Sequence, residues 1–249
     1  MIILALDTCL GACSAAVLDG ERVLAAASEA MERGQQERLG PLVLEVVERA
    51  GVGWCAVERV AVTVGPGSFT GLRVGLAFAK GVGLARGVPV VGVGTLAAIA
   101  ASVDAEARRS APSTTSRSFV ADGMPPFSSP PVNGGGTILA AVDARRGQVW
   151  MQAFEDDEAL GPAEAPDVAE AGARAAALVG GGPVTVVGSA AELVAGALPG
   201  ATVLALAAPD PVAVARLGAE ADPAKAPPVP IYLRAPDAKL PGGRTPEAA

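Results

Sequence analysis

"ILALDTCLGACSAAVL" occupies residues 3–18, and "ILAAVDARRGQVWMQAF" occupies residues 138–154. Each begins as a short, fully apolar run, the pattern of a buried strand. Each run ends in an aspartate, Asp7 or Asp143, with a glycine four residues on, Gly11 or Gly147. An alternating strand follows in both. Asp-x-x-x-Gly is short enough to arise by chance. The shared order of elements around it argues for duplication. In the first copy, Asp19-Gly20 marks a two-residue hairpin turn, and "ERVLAAAS" (21–28) returns as a third strand.

Downstream, "GQQERLGPLVLEVVERAG" (34–51) carries Leu39, Leu42, Val43, Val46, Val47 and Ala50 on one helical stripe. Pro41 lies inside it and implies a kink or a loose first turn. "RVAVTV" (59–64) reads as a strand, residues 70–86 as a helix and "VPVVGV" (88–93) as a strand. Three antiparallel strands followed by helix, strand, helix, strand is the order of a ribonuclease-H-like α/β unit. "PVTVVGSAAELV" (183–194) repeats strand, glycine, helix in the second half. The expected fold is therefore a duplicated ribonuclease-H-like α/β fold with two lobes, the plan of the actin, sugar-kinase and heat-shock-chaperone superfamily. Residues 1–107 form the first lobe and 137–249 the second. The helix near 211–221 packs on either lobe. Between them, 108–136 is dense in Pro, Ser and Gly without periodicity, and is expected to be a flexible insert.

The chain has 249 residues, 51% of them hydrophobic but only 3% aromatic, so Ala, Val and Leu must fill the core. Its net charge of −7 disfavours unaided binding to nucleic acid or acidic membranes. There is no histidine, which removes Ser-His-Asp and Cys-His catalysis and imidazole metal sites. Cys9, Cys13 and Cys55 have no zinc spacing and read as reduced thiols. "VPVVGVGTLAAIAASV" (88–103) is too short for a membrane span, and the N-terminal run reads as a strand rather than a signal peptide. A cytoplasmic protein without a membrane partner is expected.

In active members of that superfamily the two aspartate hairpins hold nucleotide phosphates and magnesium. Asp7, Thr8, Asp143 and Gly147 are the candidate phosphate-hairpin residues here, but each hairpin has a single glycine where close approach to an anion needs several. No metal site is expected. "AVTVGPGSFTGLRVGLAFAKGVG" (61–83) is also glycine-rich, yet matches neither the Walker A pattern nor Gly-x-Gly-x-x-Gly. Gly65 and Gly67 permit a sharp turn, and Ser68 or Thr70 can cap the helix. Gly71, Gly75, Ala79 and Gly83 form one stripe at four-residue spacing. Glycine inside a helix costs about 1 kcal/mol against alanine, so the stripe needs a close neighbour. That neighbour is the protein's own 34–51 helix or a partner's helix. The expected partner surface is Leu39, Leu42, Val43, Val46, Gly71, Val74, Gly75, Phe78 and Ala79.

"ILALDT", "GPGSFTGLRVGLAFAKGVG", "VVGVGTLAAIA", "LAAVDARRGQVW" and "PIYLR" together resemble the TsaB (YeaZ) family of the bacterial threonylcarbamoyladenosine tRNA-modification system. The resemblance covers both halves and spares the insert. It implies a non-catalytic scaffold that binds and activates the transferase TsaD, with the ATPase TsaE as a further partner. TsaD carries a His-x-x-x-His metal site on the helix matching residues 35–50, where this chain reads "GQQERLG". The resemblance also implies that no cofactor is required, with residual nucleotide binding left open. It further implies tRNA contact only through the complex, and a homodimer when the partner is absent. The alternatives, an ATP-dependent sugar or acetate kinase and a glycoprotease-like metallopeptidase, are disfavoured by the thin hairpins and the missing histidines.

Overall fold

A computed structural model describes residues 1–110 and 136–233, with the backbone alone for 104–110. The chain opens with β1 (Ile2–Asp7), β2 (Ala12–Asp19) and β3 (Arg22–Ala30) as an antiparallel meander. Asp19 pairs with Arg22, so the turn residues are Gly20 and Glu21, one position later than the Asp19-Gly20 expectation. Helix α1 (Gln35–Arg49) runs through Pro41, and β4 (Arg59–Gly65) and β5 (Val90–Gly94) flank α2 (Phe69–Arg86) in sequence. Helix α3 (Thr95–Ser110) follows. The sheet order is β3-β2-β1-β4-β5, with β1, β4 and β5 parallel.

The second half repeats this plan. It has β6 (Thr137–Arg145), β7 (Gln148–Glu155), β8 (Glu158–Ala159), α4 (Val168–Val179), β9 (Val184–Val187), α5 (Ala191–Ala195), β10 (Thr202–Leu204) and α6 (Pro211–Glu220). Its sheet reads β8-β7-β6-β9-β10, with the same parallel and antiparallel neighbours as the first. The fold is a duplicated ribonuclease-H-like unit, and Asp7 and Asp143 end equivalent central strands.

Side-chain alternation along β1 divides the first lobe's core in two. Leu4 and Leu6 face Leu39, Leu42, Val43, Val46 and Val47 of α1 together with Leu76 and Ala79 of α2. Ile3 and Ala5 face Val214 and Ala215 of α6. The C-terminal helix therefore belongs to the first lobe's packing. In exchange, Leu96, Ile99 and Ala100 of α3 cover Ile138, Ala140 and Val142 of the second sheet. The exchanged helices meet each other: the Asp210 amide at the start of α6 donates to Ser102 Oγ on α3 (2.8 Å). At the other end of α6, Arg59 Nη1 donates to the carbonyls of Gly218, Ala219 and Ala221 at 2.8–3.0 Å. A cation at a helix C-terminus meets the unpaired carbonyls there. The expected insert start at Arg108 falls inside α3. Residues 111–135, and the tail from Arg234, lie outside the described residues.

Candidate functional site

Asp7 continues the row of Ile3 and Ala5 and is fully buried. Thr63 Oγ1 on the neighbouring strand donates to Asp7 Oδ1 (2.6 Å), and the Cys9 amide donates to the same oxygen (3.1 Å). Asp7 Oδ2 has no hydrogen-bond partner. Ser14, its cross-strand partner, is also buried with an unbonded hydroxyl. Burial raises the Asp7 carboxyl to about 6, and the Thr63 and Cys9 hydrogen bonds offset only part of that rise. Thr63 spends its proton on Asp7, so the Cys9 thiol donates to Thr63 Oγ1 (2.8 Å). Burial, and then the charge of Asp7, hold that thiol far above its ordinary range. It is a protonated structural thiol rather than a nucleophile.

The hairpin after Asp7 is occupied by the protein itself. The Gly11 amide donates to Ala207 O (3.3 Å) in the segment leading to α6, and Gly11 O accepts from the Met31 amide (3.0 Å). Leu10 packs into the second lobe's core. The second hairpin is different. Asp143 is exposed, its amide donates to Ser189 Oγ (2.9 Å) and its Oδ1 accepts from the Arg145 amide (2.7 Å). Gly147 lies in an exposed turn with φ +79°. One aspartate is sealed and the other is in solvent, so the two hairpins differ in their surroundings. Among the described residues, no three metal-ligating side chains cluster.

The GPGSFTG segment packs on the end of β1. The Ser68 amide donates to Cys9 O (2.7 Å), and Thr8 Oγ1 donates to Gly71 O (2.7 Å). Ser68 Oγ caps α2 by accepting from the Gly71 amide (3.3 Å). A Cβ at Gly71 would collide with the Thr8 carbonyl, and one at Gly75 would stand 2.7 Å from Thr8 Oγ1. The glycine stripe is thus the contact of α2 with its own sheet. Most of the expected partner surface therefore faces the protein's own core. Leu39, Leu42, Val43 and Val46 are at most 1% exposed, Gly71, Gly75 and Ala79 are buried, and Val74 and Phe78 are half-buried against the same core. The apolar face of the sheet must be covered, and these residues are what covers it.

The outward face of the two helices carries different residues, which sequence reasoning missed. Leu84 is 87% exposed on α2 and Leu44 46% exposed on α1, with Arg73, Ala77 and Gly81 also outward on α2. Ala77 and Gly81 repeat a four-residue spacing, and that was the available signal.

Residues 27–117 match the family model of the tRNA N6-adenosine threonylcarbamoyltransferase TsaD. The tRNA threonylcarbamoyladenosine biosynthesis protein TsaB of Escherichia coli is 30% identical over 158 residues, which is 64% of this chain and 57% of that protein. The chain thus aligns with little more than half of that protein's length. An uncharacterized protein of Mycobacterium tuberculosis is 34% identical over 249 residues, covering 95% of this chain and 93% of its own length. The structure of YeaZ from Pseudomonas aeruginosa superposes with a TM-score of 0.65 at 24% identity, over 93% of this chain and 99% of that one, a likeness of fold. Among the described residues no helix is long and apolar enough to cross a membrane. Both halves carry the duplicated fold, and its relatives run through both, so the chain belongs to the TsaB (YeaZ) family.

Proposed function

We propose that this protein is a non-catalytic subunit that binds and activates a TsaD transferase for threonylcarbamoyl modification of the tRNA adenosine next to the anticodon. The observation that carries this reading is the closed Asp7 hairpin. Its glycine amide is taken by Ala207 and its loop supports α2, so the superfamily's phosphate site serves here as an internal joint. The absence of histidine adds to it. No cofactor is required for that role. The subunit works in the cytoplasm with TsaD and the ATPase TsaE, and meets tRNA only within the complex.

The contact surface is the outward face of α1 and α2, with Leu44, Ala77, Gly81 and Leu84. Small residues between larger apolar ones suit helix-on-helix packing at short range. The same face pairs with a second copy of this chain when TsaD is absent. The test is a pull-down with TsaD combined with a reconstituted modification assay. The chain alone is expected to show no ATP- or metal-dependent turnover. Leu84→Glu is expected to lose TsaD binding and stimulation with an unchanged melting temperature. Turnover by the isolated chain that Asp7→Ala abolishes, or full binding by Leu84→Glu, speaks against the reading.

A further inference from the structure

This protein is poor in aromatic residues and has a single tyrosine. Among the described aromatic side chains, Trp54, Phe78, Phe154 and Trp150 are buried or half-buried. The remaining two, Phe69 and Tyr232, are 51% and 46% exposed, and they stand beside each other with ring centroids 5.6 Å apart. The Arg73 guanidinium lies 3.7 Å above the Phe69 ring. Ile231 adds a further exposed apolar side chain. Exposed large aromatics that touch one another, with an arginine stacked on them, have the composition of an interface anchor.

The corner is held rigid by the backbone. After α6 the chain returns across the first lobe, where the Gly92 amide donates to Ala226 O (2.9 Å) and the Ile231 amide donates to Val64 O (2.7 Å). Tyr232 is thereby fixed beside the first residue of α2, and the rings are organised before any partner arrives. From Phe69 the outward face of α2 continues through Arg73, Ala77 and Gly81 to Leu84 at helical spacing. Helix α2 exposes Arg73 and Lys80 and carries no acidic residue, in a chain of net charge −7. The patch is therefore a cationic, apolar island on an acidic molecule.

We infer that Phe69, Arg73, Ile231 and Tyr232 form an anchor that extends the α2 contact onto the C-terminal strap, and that it receives a protein surface bearing an apolar side chain ringed by carboxylates. This rests on the reading of the helix face as the TsaD contact, and TsaD is the occupant it commits to. Continuity along α2 and the local charge both favour a protein with acidic groups there.

The experiment measures affinity for purified TsaD with the full chain, alongside its melting temperature. Tyr232→Ala and Phe69→Ala are expected to weaken binding at least tenfold with little change in melting temperature. Arg73→Glu is expected to do the same and to reduce the salt dependence of association. Unchanged affinity in these variants, with Leu84→Glu defective, overturns the anchor and leaves the helix-face reading standing. Failure of the unaltered chain to bind TsaD overturns both. If the alanine variants also melt lower, Arg73→Glu decides, because it leaves the contact between the Phe69 and Tyr232 rings in place, and full affinity in that variant overturns the anchor. A defect confined to crosslinking with RNA, with TsaD affinity intact, overturns it too.

Discussion

Removing the charge of Asp7 is expected to stabilise the protein at neutral pH. The carboxyl is sealed with no cation among its partners, and its folded value of about 6 lies above the ordinary 3.8. The native state therefore holds this proton more tightly than the unfolded chain does. The contribution to stability is fully present below about pH 4 and is lost as the pH rises through about 6, a change of about 3 kcal/mol. Asp7→Asn keeps an oxygen for Thr63 and Cys9 and removes the buried charge. Melts at pH 4.5 and 7.5 should show the variant gaining on the original protein clearly more at the higher pH, and equal differences at both would refute the assignment. The glycines of α2 give a paired expectation. Gly75→Ala gains helix propensity but drives a Cβ to 2.7 Å from Thr8 Oγ1, and overpacking of about 1–3 kcal/mol wins. Gly81→Ala meets nothing within 4 Å and should stabilise by about 0.5–1 kcal/mol. The four-residue spacing made a close neighbour legible, but not its identity. Small residues lie on both faces of α2, Gly75 and Ala79 inward and Ala77 and Gly81 outward, so composition gives the face no sign.

Among the elements, the exchange of α3 and α6 turns on Ser102. Its buried hydroxyl donates to Ala98 O (2.6 Å) and accepts the first amide of the α6 cap (2.8 Å). Ser102→Ala leaves the Asp210 amide without its acceptor and should cost about 1–3 kcal/mol, read by urea denaturation. A change within about 0.5 kcal/mol would mean that water replaces the hydroxyl. Elements of strong contrast were legible: β1 and β2 by their apolar runs, α1 by its stripe, and α2 by the turn and cap before it. Helix α4 was not, because its buried residues are Ala171, Ala175 and Val179 in a segment where alanine also faces solvent. A period needs two kinds of residue to show itself. Strands β8 and β10, two and three residues long, are too short to carry any pattern.

For the molecule as a whole, the exchanged helices make each half incomplete. Residues 1–110 lack α6, so Ile3, Ala5, Ala16, Leu18 and Ala61 lose Val214 and Ala215 from the cluster that buries them. Neither 1–110 nor 136–249 should show a cooperative melt alone, whereas co-expression should restore one. A stable isolated first half would show that α6 is an accessory. Replacing residues 111–135 with a short Gly/Ser linker is expected to leave melting temperature and TsaD affinity unchanged, given their Pro, Ser and Gly content. A large loss of either would assign that segment a role. The duplication was readable from Asp7 with Gly11 and Asp143 with Gly147. The exchange was not, because a helix stripe records that it is buried and leaves its sheet unspecified.

Arg59 waits for carbonyls 159 to 162 residues further along the chain. At a synthesis rate of about 5–20 residues per second, the first lobe's sheet, complete at β5, is on hand roughly 6–25 s before the helix that roofs it. During that interval a nascent apolar ledge is open to holdase chaperones and to neighbouring chains on the same polysome. Its exposure lasts as long as the ribosome takes to reach α6, so slower codons between β5 and α6 are expected to lower the yield of native protein, read as the soluble fraction on expression.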